Sequence, residues 1–472
     1  MNLKPHQAAL VQEWQSNLNP LLLAGCVGSG KTAAAVLLNE ARRQRFPSYS
    51  PTLIVCPAGK KLDWQAEIKL WCGKEALIID GNKDKRLAQL EQVDNFEYIV
   101  TNYETVRGHW QWFQSHLWYH IILDEGHKIK GHTNLVTHAA KVGDAVSRMI
   151  LTGTPIKNKP GDLWSLLHFL EPGYAYLARK RKGSRIPEGM KLRDWGTWGS
   201  YWDFIGRYCI LNRWHGVERA NPGTAGELAK RLERIMVVWS REDVLSDLPK
   251  ATTHSVKIQL TGEQNKVYQG LKQGFLPWLA KQKQIALLAQ LTYFRRITTL
   301  SPYAFEGPEY AQTSSSSKES AKYEWIKDFI EYEIDEDEKV VIMTNWADVA
   351  DELGKELDAV IIKGSMSTKQ RHQAELDFKK VLIGTPAAWE GINLQSAHYM
   401  VIIDLPWNST DIVQMIGRIH RLGQETDCEV YILLAENTID EYMLDVVQGK
   451  EEDIRRILGH PEELIRDIQK II

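Results

Sequence analysis

Cysteine is scarce in this chain: five in 472 residues (Cys26, Cys56, Cys72, Cys209 and Cys428), with no CxxC pair and no Cys/His cluster of zinc spacing. That excludes a disulfide framework and a zinc module, and reads as reduced thiols in an intracellular protein. No apolar run approaches the length of a membrane span, and the opening MNLKPHQ has no apolar core of a signal peptide. Net charge is also missing: 58 basic against 60 acidic residues leave −2 at pH 7, so any nucleic-acid surface must be a local patch. No aspartate, glutamate, cysteine or hydroxyl nucleophile lies beside the arginine pair of QMIGRIHRLGQ (414–424), so those cations must act on something supplied from elsewhere.

What is present is length, with short buried-strand runs along it. A chain of 472 residues exceeds one compact core, and two or three domains are expected. PLLLAG (20–25), TLIVCP (52–57), EYIVT (97–101), YHIILDE (119–125) and MILTG (149–153) are apolar throughout. Runs of that kind belong to strands covered on both faces of a parallel sheet, and the helix-like segments between them predict a doubly wound α/β lobe over 1–172. The pattern restarts with VVIMT (340–344), AVIIK (359–363), VLIGT (381–385), YMVIID (399–404) and VYILL (430–434), giving a second α/β lobe over 321–450. Between them, 173–310 reads as mainly helical, 311–320 (AQTSSSSKES) as a flexible loop, and 451–472 as an amphipathic C-terminal helix.

GCVGSGKT (25–32) follows a buried strand and opens a helix, the context a phosphate loop requires. Gly25, Gly28, Ser29 and Gly30 let main-chain N–H groups turn toward phosphate oxygens, and the helix start adds positive potential. Lys31 would bridge the β- and γ-phosphates of ATP, and the Thr32 hydroxyl would hold Mg2+. YHIILDEGHK (119–128) ends its strand in Asp124-Glu125, where a carboxylate faces the ligand crevice of a parallel sheet. Asp124 would hold Mg2+ through water, and Glu125 would polarise the attacking water. His127 has two readings, a relay of γ-phosphate state or ordinary packing. Gln7 also has two: its amide offers the donor–acceptor pair that adenine needs, and it fits equally a surface position on the first helix.

The middle of the chain concentrates charge and tryptophan. From 178 to 219 there are ten Lys/Arg against four Asp/Glu, among them Arg179, Lys180, Arg181 and Lys182, interleaved with Trp195, Trp198, Trp202 and Trp214. The basic run reads as a DNA-binding patch or a solvated loop; the tryptophans read as base-stacking platforms or the core of a small insertion.

LTGTPIKN (151–158) is by itself a turn, but it falls in an ordered series: GCVGSGKT, LIVCPAGKKLDWQ, TNYETV, DEGHKIK, LTGTPIKN, DLWSLLHFLEPG, VVIMTNW, IKGSMSTKQR, IGTPAAWEGINLQSA, IDLPWN and QMIGRIHRLGQ. The series resembles the Swi/Snf family of ATP-driven DNA translocases in helicase superfamily two, over nearly the whole chain. The resemblance implies two RecA-like lobes with ATP between them and DNA across both. Pro57, Lys60, Thr101, Asn102, Tyr103, Thr344, Asn345, Lys363 and Thr385 would touch the tracked strand. Gly391 would approach the nucleotide, while Thr152, Thr154, Glu390 and Asn393 would couple the two sites. Arg418 and Arg421, three apart on one helical face, would neutralise charge on the γ-phosphate as arginine fingers, with Gln414 meeting nucleotide or water. This chain departs from the family in having Ala388-Trp389 for Gly-Gly, Val238-Trp239 for a basic pair, Gly131 for Asn, and WNST for WNP. The expectation is a monomeric DNA-dependent ATPase moving on duplex DNA. A strand-unwinding or branch-migrating helicase and a nucleotide-gated scaffold are the alternatives.

Overall fold

In the computed structural model the described residues run from 3 to 447, except 27, 132–133, 142, 154–160, 178–189, 194–195, 212–216, 240–243, 245–247, 280–286, 304–305, 307, 309–314, 390–391, 408 and 422. The expected C-terminal helix at 451–472 and the basic run Arg179–Lys182 lie outside them. The chain divides into two compact units, 1–247 and 248–472.

In the first unit, β1 (Leu21–Gly25), β2 (Thr52–Cys56), β3 (Ala76–Ile78), β4 (Tyr98–Asn102), β5 (Leu117–Asp124) and β6 (Asp144–Thr152) follow the apolar runs. Two small antiparallel pairs come next, β7 (Ala175–Leu177) with β8 (Lys191–Arg193), and β9 (Cys209–Leu211) with β10 (Val217–Ala220). A further strand, β11 (Met236–Trp239), returns to the main sheet, whose order is β11-β1-β6-β5-β2-β4-β3. Every pairing in it is parallel. Helices α1 (Pro5–Trp14), α2 (Lys31–Arg45), α3 (Lys61–Cys72), α4 (Lys83–Leu90) and α5 (Tyr103–Gly108) alternate with the strands, as double winding requires. The core runs through Leu22, Val55, Ile99, Leu123 and Ile150 and takes in the fully buried helix Asp162–Leu170.

In the second unit, β12 (Ala251–Ile258), β13 (Val340–Met343), β14 (Val360–Ile362), β15 (Val381–Gly384), β16 (Tyr399–Ile402) and β17 (Cys428–Ala435) form a second all-parallel sheet, order β12-β17-β16-β13-β15-β14. A buried ion pair, Lys322–Asp440 at 2.6 Å, ties the helix Ala321–Tyr332 to the turn after β17. Lys322 is completely buried and also donates to the Ile403 carbonyl at 2.7 Å, so the charge is compensated.

The α/β fold class is therefore as expected. Among the described residues 173–310 hold more helix than strand (201–208, 222–232, 262–279 and 287–297), and they also carry strands that the sequence reading did not place: β11 extends the first sheet and β12 extends the second. Both are edge strands. β12 pairs on one side only and is mostly exposed, with Ala251, Val256 and Ile258 half-buried, so it shows no apolar run. MVVW of β11 follows the helical stretch 222–232 after three residues and merges with its periodicity. Where the serine-rich segment is described, it is a loop, as expected. Ser320 is buried and donates to the Thr299 carbonyl at 2.7 Å, and Tyr303 N–H donates to the Ser317 carbonyl at 2.7 Å, so 315–320 is tied down.

Candidate functional site

The order β11-β1-β6-β5 brings the carboxyl ends of β1, β6 and β5 side by side. In register, Ala24 faces Thr152 and Leu151 faces Asp124, so the loop after β1 and the acidic end of β5 share one sheet edge. This is the crevice where ligands of open parallel sheets bind.

The loop 25–30 is built from what only glycine permits. Gly28 and Gly30 have φ of 83° and 73°, the left-handed region that L side chains avoid. A Cβ on Gly25 would lie 2.9 Å from Ser29 Oγ and 3.2 Å from Trp239 Cε3. The Lys31 ammonium donates to the carbonyls of Gly25 (2.6 Å) and Cys26 (2.9 Å). Helix α1 braces the loop from outside: a ring nitrogen of His6 lies 3.1 Å from the Ser29 carbonyl, and Gln7 Nε2 donates to the Gly30 carbonyl at 3.0 Å. Gln7 Oε1 accepts from Lys4 N–H at 2.9 Å. Gln7 is thus buried against the phosphate loop with both ends of its amide engaged, and the surface alternative for it is excluded.

Asp124 ends β5 and Glu125 turns the chain. Glu125 has φ 51° and ψ 51°, left-handed for a residue with a Cβ, and a Cβ on Gly126 would run into Ile150. That conformation is disfavoured by roughly 1–2 kcal/mol and persists where the surroundings over-determine it. Glu125 Oε2 lies 3.3 Å from His127 Nδ1 without hydrogen-bond alignment, so their attraction is coulombic. Burial alone would push the Glu125 carboxyl up; His127, Lys60 and Lys31 outweigh it and hold the group well below the usual carboxylate range. Burial lowers the Lys31 ammonium to about 8, with Glu125 and Asp124 pulling the other way. His127 is buried in this contact, which favours a part in the site over remote packing.

Two residues that sequence reasoning did not assign to the nucleotide site surround Asp124. Trp64 Nε1–H donates to its Oδ2 at 3.0 Å, and the Lys60 ammonium, expected to face DNA, lies 3.6 Å from the same oxygen. Trp64 stood in the quoted LDWQ, but nothing in its spacing linked it to a carboxylate sixty positions on.

The site fits a nucleoside triphosphate and Mg2+. Ser29 Oγ is buried inside the loop without a hydrogen-bond partner, Gly25 offers a cradle that a Cβ would fill, and Glu125 Oε2 is buried with the His127 ring beside it and no aligned hydrogen bond. Among the described residues no cluster of three His, Cys, Asp or Glu could hold a metal alone. Thr32 and Asp124 with phosphate oxygens are the kind of donor set Mg2+ takes.

The side chains expected to meet DNA are largely committed within their own unit. Thr101 is buried with its hydroxyl toward the Ile79 carbonyl, Asn102 caps α5, Tyr103 OH donates to the Asp124 carbonyl at 2.7 Å, and Pro57 is buried. In the second unit the Thr344 hydroxyl (2.6 Å) and the Asn345 amide (2.6 Å) both donate to Asp404. Thr385 donates to the Ile362 carbonyl at 3.3 Å, and Lys363 pairs with Asp351 at 2.6 Å. Asp404 is a hub the sequence reading passed over; burial raises its carboxyl, against Arg295 and the donors from Thr344 and Asn345.

The helix carrying the arginines spans Ser409–Ile419. Arg418 is buried, its Nε donating to the Gln414 carbonyl at 3.2 Å and Nη1 to the Ile392 carbonyl at 3.4 Å. Arg421 is half-buried in the bend beyond the helix end. The two do not share one continuous helical face, because the helix stops between them. Gln414 is buried, and Asn393 N–H donates to Glu375 at 3.0 Å. Thr152 is buried at the end of β6. Thr154, Glu390 and Gly391 lie outside the described residues, as do Trp195 and Trp214. Trp198 is core, donating to Glu171 at 2.8 Å under the guanidinium of Arg231, while Trp202 is 62% exposed.

Two family models match: the SNF2-related domain over residues 7–301 and the helicase conserved C-terminal domain over 321–423. An ATP-dependent helicase of Mycoplasma genitalium, itself uncharacterized, is 25% identical over 452 residues, covering 93% of this chain and 40% of that protein. The chromodomain-helicase-DNA-binding protein 1-like of Danio rerio is 25% identical over 465 residues, covering 93% and 42%. The ISWI chromatin-remodeling complex ATPase ISW1 of Saccharomyces cerevisiae is 24% identical over 473 residues, covering 94% and 39%. The chain thus spans about two fifths of these curated relatives. Among solved structures, the SWI2/SNF2 ATPase core of Sulfolobus solfataricus in complex with dsDNA gives a TM-score of 0.45 at 22% identity, covering 100% of this chain and 97% of that one.

Proposed function

The chain belongs to the SNF2-related family, whose domain model spans residues 7–301, and from that premise we propose that it is a DNA-dependent ATPase that couples hydrolysis to movement along double-stranded DNA. The observation that carries the reading is the shared sheet edge of β1, β6 and β5, where the carboxylates of Asp124 and Glu125 lie close enough to Lys31 to favour its ammonium against burial. A phosphate loop alone serves many reactions; a loop on the same sheet edge as a buried carboxylate held ionised by nearby cations suits activation of water against a phosphate.

In this reading the main-chain N–H groups of 28–32 receive the phosphates. Lys31 leaves the carbonyls of Gly25 and Cys26 for phosphate oxygens, a stronger acceptor for an ammonium. Glu125, held ionised, accepts a proton from the attacking water. Thr32 and Asp124 would hold Mg2+, which would supply charge neutralisation for the phosphates. Arg421 serves as the arginine finger. Arg418, with its guanidinium on two carbonyls, fixes the 392–394 turn, and Gln414 supports it.

DNA is supported by the family and by the name of the Danio rerio relative. With Thr101, Thr344 and Thr385 turned inward, the DNA contacts fall to main-chain groups at these strand ends and to Lys60, Lys363 and the basic run Arg179–Lys182. Contacts of that kind read phosphates, so binding is weakly sequence-dependent and strongly salt-dependent.

The test is the ATP turnover rate with no nucleic acid and with single-stranded, duplex and branched DNA, beside a triplex-displacement assay. Duplex stimulation with triplex displacement is expected. No stimulation by any nucleic acid overturns the reading, and unwinding of a fork without triplex displacement replaces translocation by strand separation.

A further inference from the structure

Asp124 is held at both ends by side chains that come from neither the phosphate loop nor β5. Trp64, buried to 1% exposure in α3, gives its single N–H to Oδ2 at 3.0 Å. Tyr103, the first residue of α5 and buried to 2%, gives its hydroxyl to the Asp124 main-chain carbonyl at 2.7 Å. Oδ1 accepts from the Glu125 N–H at 3.0 Å. Each carboxylate oxygen therefore uses one lone pair inside the protein and keeps another. The indole also sets a competition. The Lys60 ammonium stands 3.6 Å from the oxygen that Trp64 holds, and its side chain is 20% exposed, so it has freedom the indole lacks. Remove the indole N–H, and the donor left beside Oδ2 is a cation that would draw that oxygen toward itself, while Oδ1 keeps the Glu125 N–H.

We propose that Trp64 and Tyr103 are positioning residues for Asp124. Trp64 fixes the carboxylate rotamer against the pull of Lys60, and Tyr103 fixes the main chain at the end of β5. Together they keep the free lone pairs of Asp124 directed at the water shell of a Mg2+ bound beside the phosphate loop. Outer groups that orient a metal-serving carboxylate typically change metal affinity or rate by about 10–100-fold when removed. The proposal rests on the reading that Asp124 serves Mg2+ in ATP hydrolysis.

The test uses the full chain with Trp64→Phe, which keeps an aromatic ring and loses the N–H, Tyr103→Phe, and Asp124→Asn as reference. Three quantities are read: steady-state ATP turnover against Mg2+ concentration, affinity for a fluorescent ADP analogue in Mg2+ and in EDTA, and the melting temperature. In both Phe variants kcat should fall about tenfold with KM for ATP unchanged, and half-saturation by Mg2+ should move to higher concentration. ADP affinity in EDTA should match the parent, while the gain that Mg2+ gives should shrink. Parental kcat and parental Mg2+ dependence in both variants, with Asp124→Asn inactive, overturns the proposal and leaves the ATPase reading intact. Equal loss of ADP affinity with and without Mg2+ also overturns it, because that is general loosening of the site. Asp124→Asn turning over like the parent overturns the ATPase reading itself. Should Trp64→Phe fail to fold, Tyr103→Phe decides by the same outcomes.

Discussion

The ammonium of Lys31 sits 2.6 Å from the carbonyl oxygen of Gly25, the residue that begins its own loop. The loop thus folds around its lysine, and phosphate must compete for that cation. Burial lowers the Lys31 ammonium to about 8. Below that pH the group is charged and can meet phosphate; above it the free protein must first take up a proton to bind. The dissociation constant for a fluorescent ADP analogue should therefore be flat at neutral pH and rise above about 8, approaching tenfold per pH unit. Lys31→Arg, whose guanidinium stays charged, should bind more weakly at neutral pH and show no break. A break of the same size in that variant would assign the titration to another group.

Glu125 combines its proposed role as the base with a left-handed backbone. Glu125→Gln keeps the shape and removes the base, so ATP turnover should fall by at least about 100-fold while nucleotide affinity stays near parental. Glu125→Gly should be equally inactive yet melt higher than Glu125→Gln, because glycine relieves roughly 1 kcal/mol of backbone strain. Thermal melts of the two variants side by side make the comparison. A lower melting point for the glycine variant means the turn is not strained.

The phosphate loop and the acidic strand end were legible because their chemistry is local: glycines, a lysine and a hydroxyl within eight residues, or two acids ending one apolar run. The groups that complete the site are not local. Trp64 reaches Asp124, and Asn345 reaches Asp404, across about sixty positions, and no periodicity reports such a pairing. The central strands were legible because both faces are covered. Edge strand β12 was not, since a strand with a free edge needs no apolar run, and the apolar MVVW of β11 was not because it merges with the helical stretch before it. For Arg418 and Arg421 the spacing was right and the helix end was missed: no glycine or proline stands between them to announce the stop at Ile419.

Lys141 closes the helix Leu135–Ala140 and is buried, its ammonium 3.1 Å from Ser165 Oγ and 3.2 Å from His168 Nδ1. Burial, with the nearby Arg148, lowers it to about 7. Between that pH and the ordinary lysine range the unfolded chain binds more protons than the folded one, so this residue makes stability rise with pH there. Lys141→Met should raise the melting temperature of the first unit most near and below neutral pH, and the difference should fade as pH rises toward 10. Melting curves of parent and variant across that span test it; a difference that does not change with pH places the ammonium in a better-solvated setting than its burial implies.

Arg418 and Arg421 should separate cleanly. Arg418 donates to the carbonyls of Gln414 and Ile392 from a buried position, so Arg418→Ala removes two buried hydrogen bonds and should cost on the order of 1–3 kcal/mol of stability in the second unit. Its activity should fall with its melting temperature. Arg421 lies past the helix end, half-buried, and in the proposed role its guanidinium matters only when ATP is being cleaved. Arg421→Ala should melt like the parent, bind the fluorescent ADP analogue nearly as well, and lose turnover by about 1,000-fold or more. Arg421→Lys should recover little, because an ammonium lacks the planar fork that spans two phosphate oxygens. The arrangement fails as argued if Arg421→Ala hydrolyses ATP at the parental rate, or if Arg418→Ala keeps parental stability and loses turnover instead; the finger would then be Arg418, released from its two carbonyls.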